Sequence, residues 1–152
     1  MNDTNANNNE MNRAETLMMR NDVSSMPLLY EFIEGLCERC GYPMEMGMEL
    51  QLALEEALVN VINYAFPNDD TAHDIRLTFS QKGDILSFTI EDDGVPFDPT
   101  QHQEVDIDAP IEERQVGGLG IHLVRTIMDR MEYRREADHN VLMLEKRLAS
   151  NY

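Results

Sequence analysis

Apolar side chains recur at three- and four-residue steps between Met44 and Phe66, at Leu50, Leu54, Leu58, Val61, Ile62 and Ala65, which is the period of an amphipathic helix. Pro67 and the polar run Asn68-Asp69-Asp70 end it. A second helical pattern runs from Pro27 to about Cys40, with Ser24 and Ser25 as candidate caps and Gly41 and Pro43 as its stop. Residues 14–20 read as a first strand. Residues 74–80 and 85–91 alternate apolar and polar around Lys82-Gly83-Asp84, the pattern of a hairpin. After a loop-like stretch over 98–116, broken by Pro99 and Pro110, a helix is predicted from about Gly118 to Met131. Residues 132–137 and 141–147 then form a last hairpin around Asp138-His139-Asn140. Helices grouped with mostly antiparallel strands predict an α+β fold, a two-layer sandwich.

Composition sets the frame for that pattern. With 152 residues and 42% hydrophobic content, the chain is expected to be one domain over residues 13–150 behind a disordered, Asn-rich tail at 1–12. No window approaches the ~20 apolar residues of a membrane span, and the tail lacks the apolar core of a signal peptide, so a cytoplasmic location is expected. A net charge of −17 argues against a nucleic-acid or membrane-surface partner, since both need basic patches. Proteins and small ligands are the expected partners. Cys37 and Cys40 form a lone Cys-x-x-Cys with no second ligand pair at zinc spacing, and they are expected to be ordinary thiols without a role.

Three short segments carry candidate chemistry. On the long helix Glu49, Glu56, Asn60 and Asn63 share one stripe, and Asn costs up to ~0.7 kcal/mol against Ala in a helix interior. A Glu four residues before an Asn can present a general base and an amide oxygen for Mg²⁺ to the same pocket; the plain alternative is the wet face of an amphipathic helix. The strand 85–91 delivers Asp92 to a sheet edge just before Gly94, where a carboxylate can accept from an exocyclic amine such as that of adenine. Without a ligand it is an Asp-Gly turn. Gly117-Gly118-Leu119-Gly120 opens an apolar-periodic helix, where free amide N–H groups can cradle phosphate. Alone, such a cluster reads as a flexible loop. From Glu91 to Glu113 the chain has no Lys or Arg and many carboxylates, so a polyphosphate bound there needs a divalent cation.

Taken in order, Glu56-x-x-x-Asn60, Asp92-x-Gly94 and Gly118-x-Gly120 resemble the N, G1 and G2 boxes of the GHKL, or Bergerat-fold, ATPases. The flanks Val95-Pro96-Phe97-Asp98-Pro99 and Ile121-His122-Leu123-Val124-Arg125 are similar to the anti-sigma-factor serine/threonine kinase branch of that family. The similarity spans roughly residues 14–148. It implies a Bergerat-type sandwich with a mixed, mostly antiparallel sheet, and ATP and Mg²⁺ as cofactors. It also implies site roles: Glu56 as catalytic base, Asn60 as Mg²⁺ ligand, Asp92 and Gly94 at adenine, and Gly118, Leu119 and Gly120 at the phosphates. Asn63 joins the nucleotide-binding set, and Arg114, in the expected lid, stands as a second catalytic candidate. Glu55 points about 100° away from Glu56 around the helix. The implied activity is phosphorylation of a STAS-type anti-anti-sigma protein, with a sigma factor as other partner and a homodimer left open. The alternative is a nucleotide-dependent binding module that sequesters a regulator without phosphotransfer. Three positions depart from the family pattern: Pro96 replaces a second G1 glycine, and Asn63-Tyr64 stands where many kinases of the branch carry basic or His residues. No helix with a phosphoacceptor His precedes the N box, which sets the reading against a sensor histidine kinase.

Overall fold

The structure is a computed structural model that describes residues 12–101 and 118–148. Five strands, β1 (Asn12–Arg20), β2 (Asp74–Lys82), β3 (Ile85–Asp92), β4 (Arg130–Glu136) and β5 (His139–Arg147), form one sheet in the order β1-β2-β3-β5-β4. Three helices, α1 (Met26–Cys40), α2 (Met44–Tyr64) and α3 (Gly118–Ile127), make the second layer. Short 3-10 turns occupy Val23–Ser25 and Pro99–Gln101. Among the described residues no helix is long and apolar enough to cross a membrane.

The α+β sandwich expected from the sequence is present, but the sheet is antiparallel at all four of its pairings rather than mixed. The reason is topological: the last hairpin inserts its second strand, β5, beside β3, so β4, which runs parallel to β3, is displaced to the edge.

Strand periodicity decides which side chains meet the helices. Ile75, Leu77 and Phe79 of β2, Leu86, Phe88 and Ile90 of β3 and Leu142 and Leu144 of β5 are buried in one core with Leu29, Ile33 and Leu36 of α1 and Leu50, Leu54 and Leu58 of α2. The even positions of β3 continue to Asp92, and it is 2% exposed. A carboxylate therefore occupies the next core position in a run of apolar ones. Its cross-strand partner in register on β5 is Asn140, itself buried.

Several local expectations shift. Ser24 and Ser25 do not cap α1 with their hydroxyls; Ser25 Oγ instead accepts from the Arg20 amide at 3.2 Å, and the Asp22 carboxylate accepts from the Ser24 amide at 2.9 Å. Gly41 ends α1 in the left-handed conformation at φ 71°. The helix expected to reach Met131 stops at Ile127, because the Asp129 amide turns to the Glu145 carbonyl at 2.8 Å and the chain enters β4 at Arg130. Lys146 Nζ meets the Ile127 carbonyl at 3.0 Å, where a cation complements a helix C-terminus. The last hairpin turns at Ala137 and Asp138, with φ of 48° and 63°, not at 138–140. Two successive left-handed residues match the twist of a two-residue hairpin, and this frees His139 and Asn140 to be strand. Cys37 and Cys40 are free thiols, and burial pushes Cys37 up, away from a reactive thiolate.

Candidate functional site

On α2 the stripe of polar residues divides. Asn60 is 2% exposed; its Nδ2 donates to the Glu56 backbone carbonyl at 2.8 Å, while its Oδ1 is buried with no hydrogen-bond partner among the described residues. An orphaned buried amide oxygen costs about 1–3 kcal/mol unless something else satisfies it. Glu56, one turn earlier, is half-buried. Glu55 is drawn away to α1, where it accepts from the Tyr30 hydroxyl at 2.6 Å. Glu49 pairs with Lys146 at 3.3 Å, and Asn63 is exposed.

The end of β3 is held more tightly than a turn requires. Asp92 Oδ1 accepts from the Gly94 amide and from Asn140 Nδ2, each at 2.9 Å. Burial pushes the Asp92 carboxyl up, and the Asn140 and Gly94 donors pull it back. Asn140 also donates to the Val95 carbonyl at 2.8 Å, and its Oδ1 accepts from the Phe97 amide at 3.2 Å, the Tyr133 hydroxyl and Arg135 Nη1. Arg135 Nη1 further meets the Gly94 carbonyl at 2.7 Å. Asn140, Tyr133 and Arg135 were absent from the sequence-based site because Asn140 read as part of a turn; the Asp92-Asn140 register is the signal that finds them.

This loop is joined to the end of α2. The Val95 amide donates to the Ala65 carbonyl at 2.8 Å, and the Tyr64 and Phe97 rings lie 5.2 Å apart. Gly94 is required by that approach: a Cβ built on it would stand 2.3 Å from the Ala65 carbonyl oxygen and 2.7 Å from the Ala65 Cβ. The segment bearing Asp92 and the helix bearing Glu56 and Asn60 are thus brought together by backbone contact.

A second brace reaches the same loop from outside. His73 Nε2 lies 2.7 Å from Asp69 Oδ2 and its Nδ1 3.0 Å from Asp93 Oδ1, with Phe66 stacked on the ring at 4.9 Å. Only the imidazolium can donate from both nitrogens. The Asp69 contact is the main cause that holds His73 above its ordinary pKa, and bonds from Thr71 and His73 bring Asp69 down to about 2.

Gly118, Leu119 and Gly120 form the first turn of α3, where helix N–H groups lack intrahelical acceptors. Arg114 and Gly117 lie outside the described residues. Arg125 is turned to the Thr100 carbonyl. Among the described residues no group of three or more His, Cys, Asp or Glu side chains could hold a metal ion.

The pattern of the histidine kinase-like ATPase domain family matches residues 19–146 of this chain. Among curated proteins, the chain is 28% identical over 109 residues to the serine-protein kinase RsbW of Halalkalibacterium halodurans, covering 69% of this chain and 65% of that protein. It is 29% identical over 115 residues to the RsbW of Listeria monocytogenes, covering 73% of each. The chain thus spans about two thirds of the length of these relatives. Among solved structures, the RsbU and RsbW domains of a Mycobacterium tuberculosis protein share the fold with a TM-score of 0.62 at 9% identity, over 90% of this chain and 32% of that one. The histidine kinase domain of an Erythrobacter litoralis blue-light-activated kinase does so with a TM-score of 0.53 at 19% identity, over 82% of this chain and 60% of that one.

Gly94→Ala forces the Ala65 backbone to move, and overpacking of this kind costs about 1–3 kcal/mol. The expected outcome is a lower urea midpoint at unchanged slope; an unaltered midpoint would mean that the approach is loose in solution.

The His73 brace has a pH signature. Its folded pKa is raised, so its stabilisation is complete below the unfolded value of about 6.5 and fades as pH rises through the folded value. Asp69 acts oppositely: its contribution is present above about 4 and is lost as pH falls towards 2. Thermal melts should therefore fall in the wild type as pH rises above the unfolded value of about 6.5, and the fall should shrink in His73→Gln. Superimposable pH profiles would show that the brace contributes nothing.

Proposed function

We propose that this chain, which belongs to the histidine kinase-like ATPase family, is an ATP- and Mg²⁺-dependent serine/threonine protein kinase of a cytoplasmic partner-switching system. Its substrate would be a STAS-type anti-anti-sigma protein and its second partner a sigma factor, a reading supported by relatives that bear the name serine-protein kinase RsbW.

The observation that carries the proposal is the buried Oδ1 of Asn60, without a partner among the described residues, one helical turn from Glu56. An amide oxygen is a hard ligand of the kind Mg²⁺ takes, and a single protein ligand suits an ion that keeps waters and phosphate oxygens for the rest of its shell. Asn60 would hold the ion, which supplies positive charge to offset that of the phosphates. Asp92 Oδ2 would accept from the adenine amine, while Asn140 and the Gly94 amide fix the other oxygen. Gly118, Leu119 and Gly120 would offer the N-terminal amides of α3 to phosphate. Glu56 would take the hydroxyl proton of the substrate Ser or Thr as its oxygen bonds to the γ-phosphorus and the bond to the leaving ADP breaks. Glu55, committed to Tyr30, is not available for that task. Asn63 and Arg114 remain in the proposed site as nucleotide-binding and catalytic residues. The second reading, a nucleotide-gated binder without phosphotransfer, draws support from Arg125, whose guanidinium is turned to the Thr100 carbonyl.

Asp92→Asn keeps the shape and removes the charged acceptor, so ATP affinity should fall by about 1.5–3 kcal/mol with the melting curve little changed. Calorimetry in Mg²⁺ and in EDTA completes this test. Equal affinity in both would remove the metal from the proposal.

Phosphotransfer separates the two readings. Glu56→Gln should retain Mg-ATP and partner binding but lose transfer by roughly 10²–10⁴-fold, the usual contribution of a positioned base. Asn60→Ala should weaken Mg-ATP binding itself. Mass spectrometry of the partner after incubation with each protein reads the outcome, and a partner that binds wild type in Mg-ATP yet stays unmodified leaves the binder reading in place of the kinase.

A further inference from the structure

We propose that the groove between α1 and the N-terminal half of α2 docks an amphipathic helix of a partner protein, apolar on one face and flanked by Lys or Arg. This does not rest on the kinase reading. The groove is a cavity of about 440 Å³ whose lining includes Ile33, Cys37 and Tyr42 on one side and Met44 and Met48 on the other. Met44 is 82% and Met48 67% exposed, well above Met18 at 46%, while Met46 between them is buried. With Leu52, 41% exposed, they stand on successive turns of α2 and draw an apolar line about 12 Å long. A straight ridge of that length beside a second helix is the form of a helix-in-groove site, and unbranched methionines adapt to an incoming face. The floor is set by Gly47, since a Cβ there would stand 2.7 Å from Cys37 Sγ; the two helices approach closely beneath the exposed methionines.

Charge identifies the occupant. Glu34 and Glu38 line the groove. Together α1 and α2 carry Glu31, Glu34, Glu38, Glu45, Glu49, Glu55 and Glu56 against a single cation, Arg39, which is bonded to Glu15. A second copy of this face would set carboxylates against carboxylates. The chain's remaining segments offer no match either: residues 1–11 have Asp3 and Glu10 with no Lys or Arg, residues 149–152 are uncharged, and residues 102–117 are acidic apart from Arg114. A basic amphipathic helix satisfies both the apolar line and the acidic rim, and charge of this kind speeds encounter and rejects acidic competitors.

The test uses the full chain and a fluorescein-labelled Leu/Lys amphipathic peptide of about five helical turns, with its Leu/Glu counterpart as control, read by anisotropy at physiological salt. Wild type should bind the Leu/Lys peptide and ignore the Leu/Glu one. The double variants Met44→Ser with Met48→Ser, and Glu34→Lys with Glu38→Lys, should each weaken binding by roughly tenfold or more, as truncation of interface anchors does. Glu132→Lys with Glu136→Lys on β4 makes the same change in net charge on another element and should weaken it far less. Mg-ATP affinity should be unchanged in all three, so failure here is distinguishable from failure of the nucleotide site. Wild-type binding by the Ser variant, or an equal loss in the β4 variant, would overturn the groove in favour of diffuse attraction to an acidic protein. Self-association of wild type that the Ser variant abolishes would overturn it in favour of a second copy.

Discussion

A carboxylate held inside the sheet-helix interface is the constraint on which the rest of the site depends. Asp92 sits where the alternation of β3 calls for another Leu or Phe, and taking an ion out of water costs several kcal/mol unless donors replace the water. Asn140 and the Gly94 amide are those donors. Both fall on one oxygen, Oδ1, so the stabilisation that keeps Asp92 in place does not call on the other. A satisfied polar network in a low-dielectric setting is also rigid, because every member loses if one moves. The strand order follows the same logic: with β5 beside β3, Asn140 is in register with Asp92, whereas with β4 in that place Asn140 would lie on the edge strand, away from Asp92.

The same network transmits position to α2. Arg135 and Asn140 hold the Gly94–Phe97 loop from the sheet side, while the Ala65 carbonyl and the Tyr64 ring hold it from the helix side. Ala65 is one turn past Val61 and two beyond Leu58, so a shift at Gly94 is felt along the helix that carries Asn60 and Glu56. Two groups of residues more than thirty positions apart in sequence are fixed against each other by a contact that admits no Cβ. Precision in a site of this kind comes from support by packed backbone rather than from the site residues alone.

Much of this was legible in the sequence, and the parts that were not share a cause. The α2 period, the hairpin at Gly83 and the boxes around Glu56, Asp92 and Gly118 are local patterns, and local patterns are what a sequence displays. Asn140 was hidden because Asp138-His139-Asn140 has the composition of a turn, yet the turn falls on Ala137 and Asp138; a left-handed alanine leaves no compositional trace. The end of α3 was overrun because Met128 and Met131 continue the helical period while the Asp129 amide is captured by Glu145 from a strand the sequence places sixteen residues later. Ser25 read as a cap, but the Arg20 amide is a nearer claimant on its hydroxyl. At the end of α3 a hydrogen bond between distant segments outweighs the local helical period, while at Ser25 and at the last turn another local conformation wins.

The distribution of cations completes the physical picture. Arg20, Arg76, Arg130 and Arg134 pair with carboxylates on the sheet, and Arg39 ties α1 to Glu15 of β1. Exposed pairs of this sort contribute little to stability, but they keep the guanidinium groups on the strands. The two long helices are left almost purely acidic, with Lys146 reaching Glu49 from β5. Along the half of α2 that carries Glu56 and Asn60 that acidity would work against a bound polyphosphate, and in the proposed site a divalent ion on the Asn60 oxygen would supply the positive charge. At the other end of the same helix it would favour the basic helix proposed for the groove. One charge pattern on α2 thus sets the same requirement at its two ends, positive charge from outside the chain: a metal in the proposed nucleotide site and a cationic partner in the proposed groove.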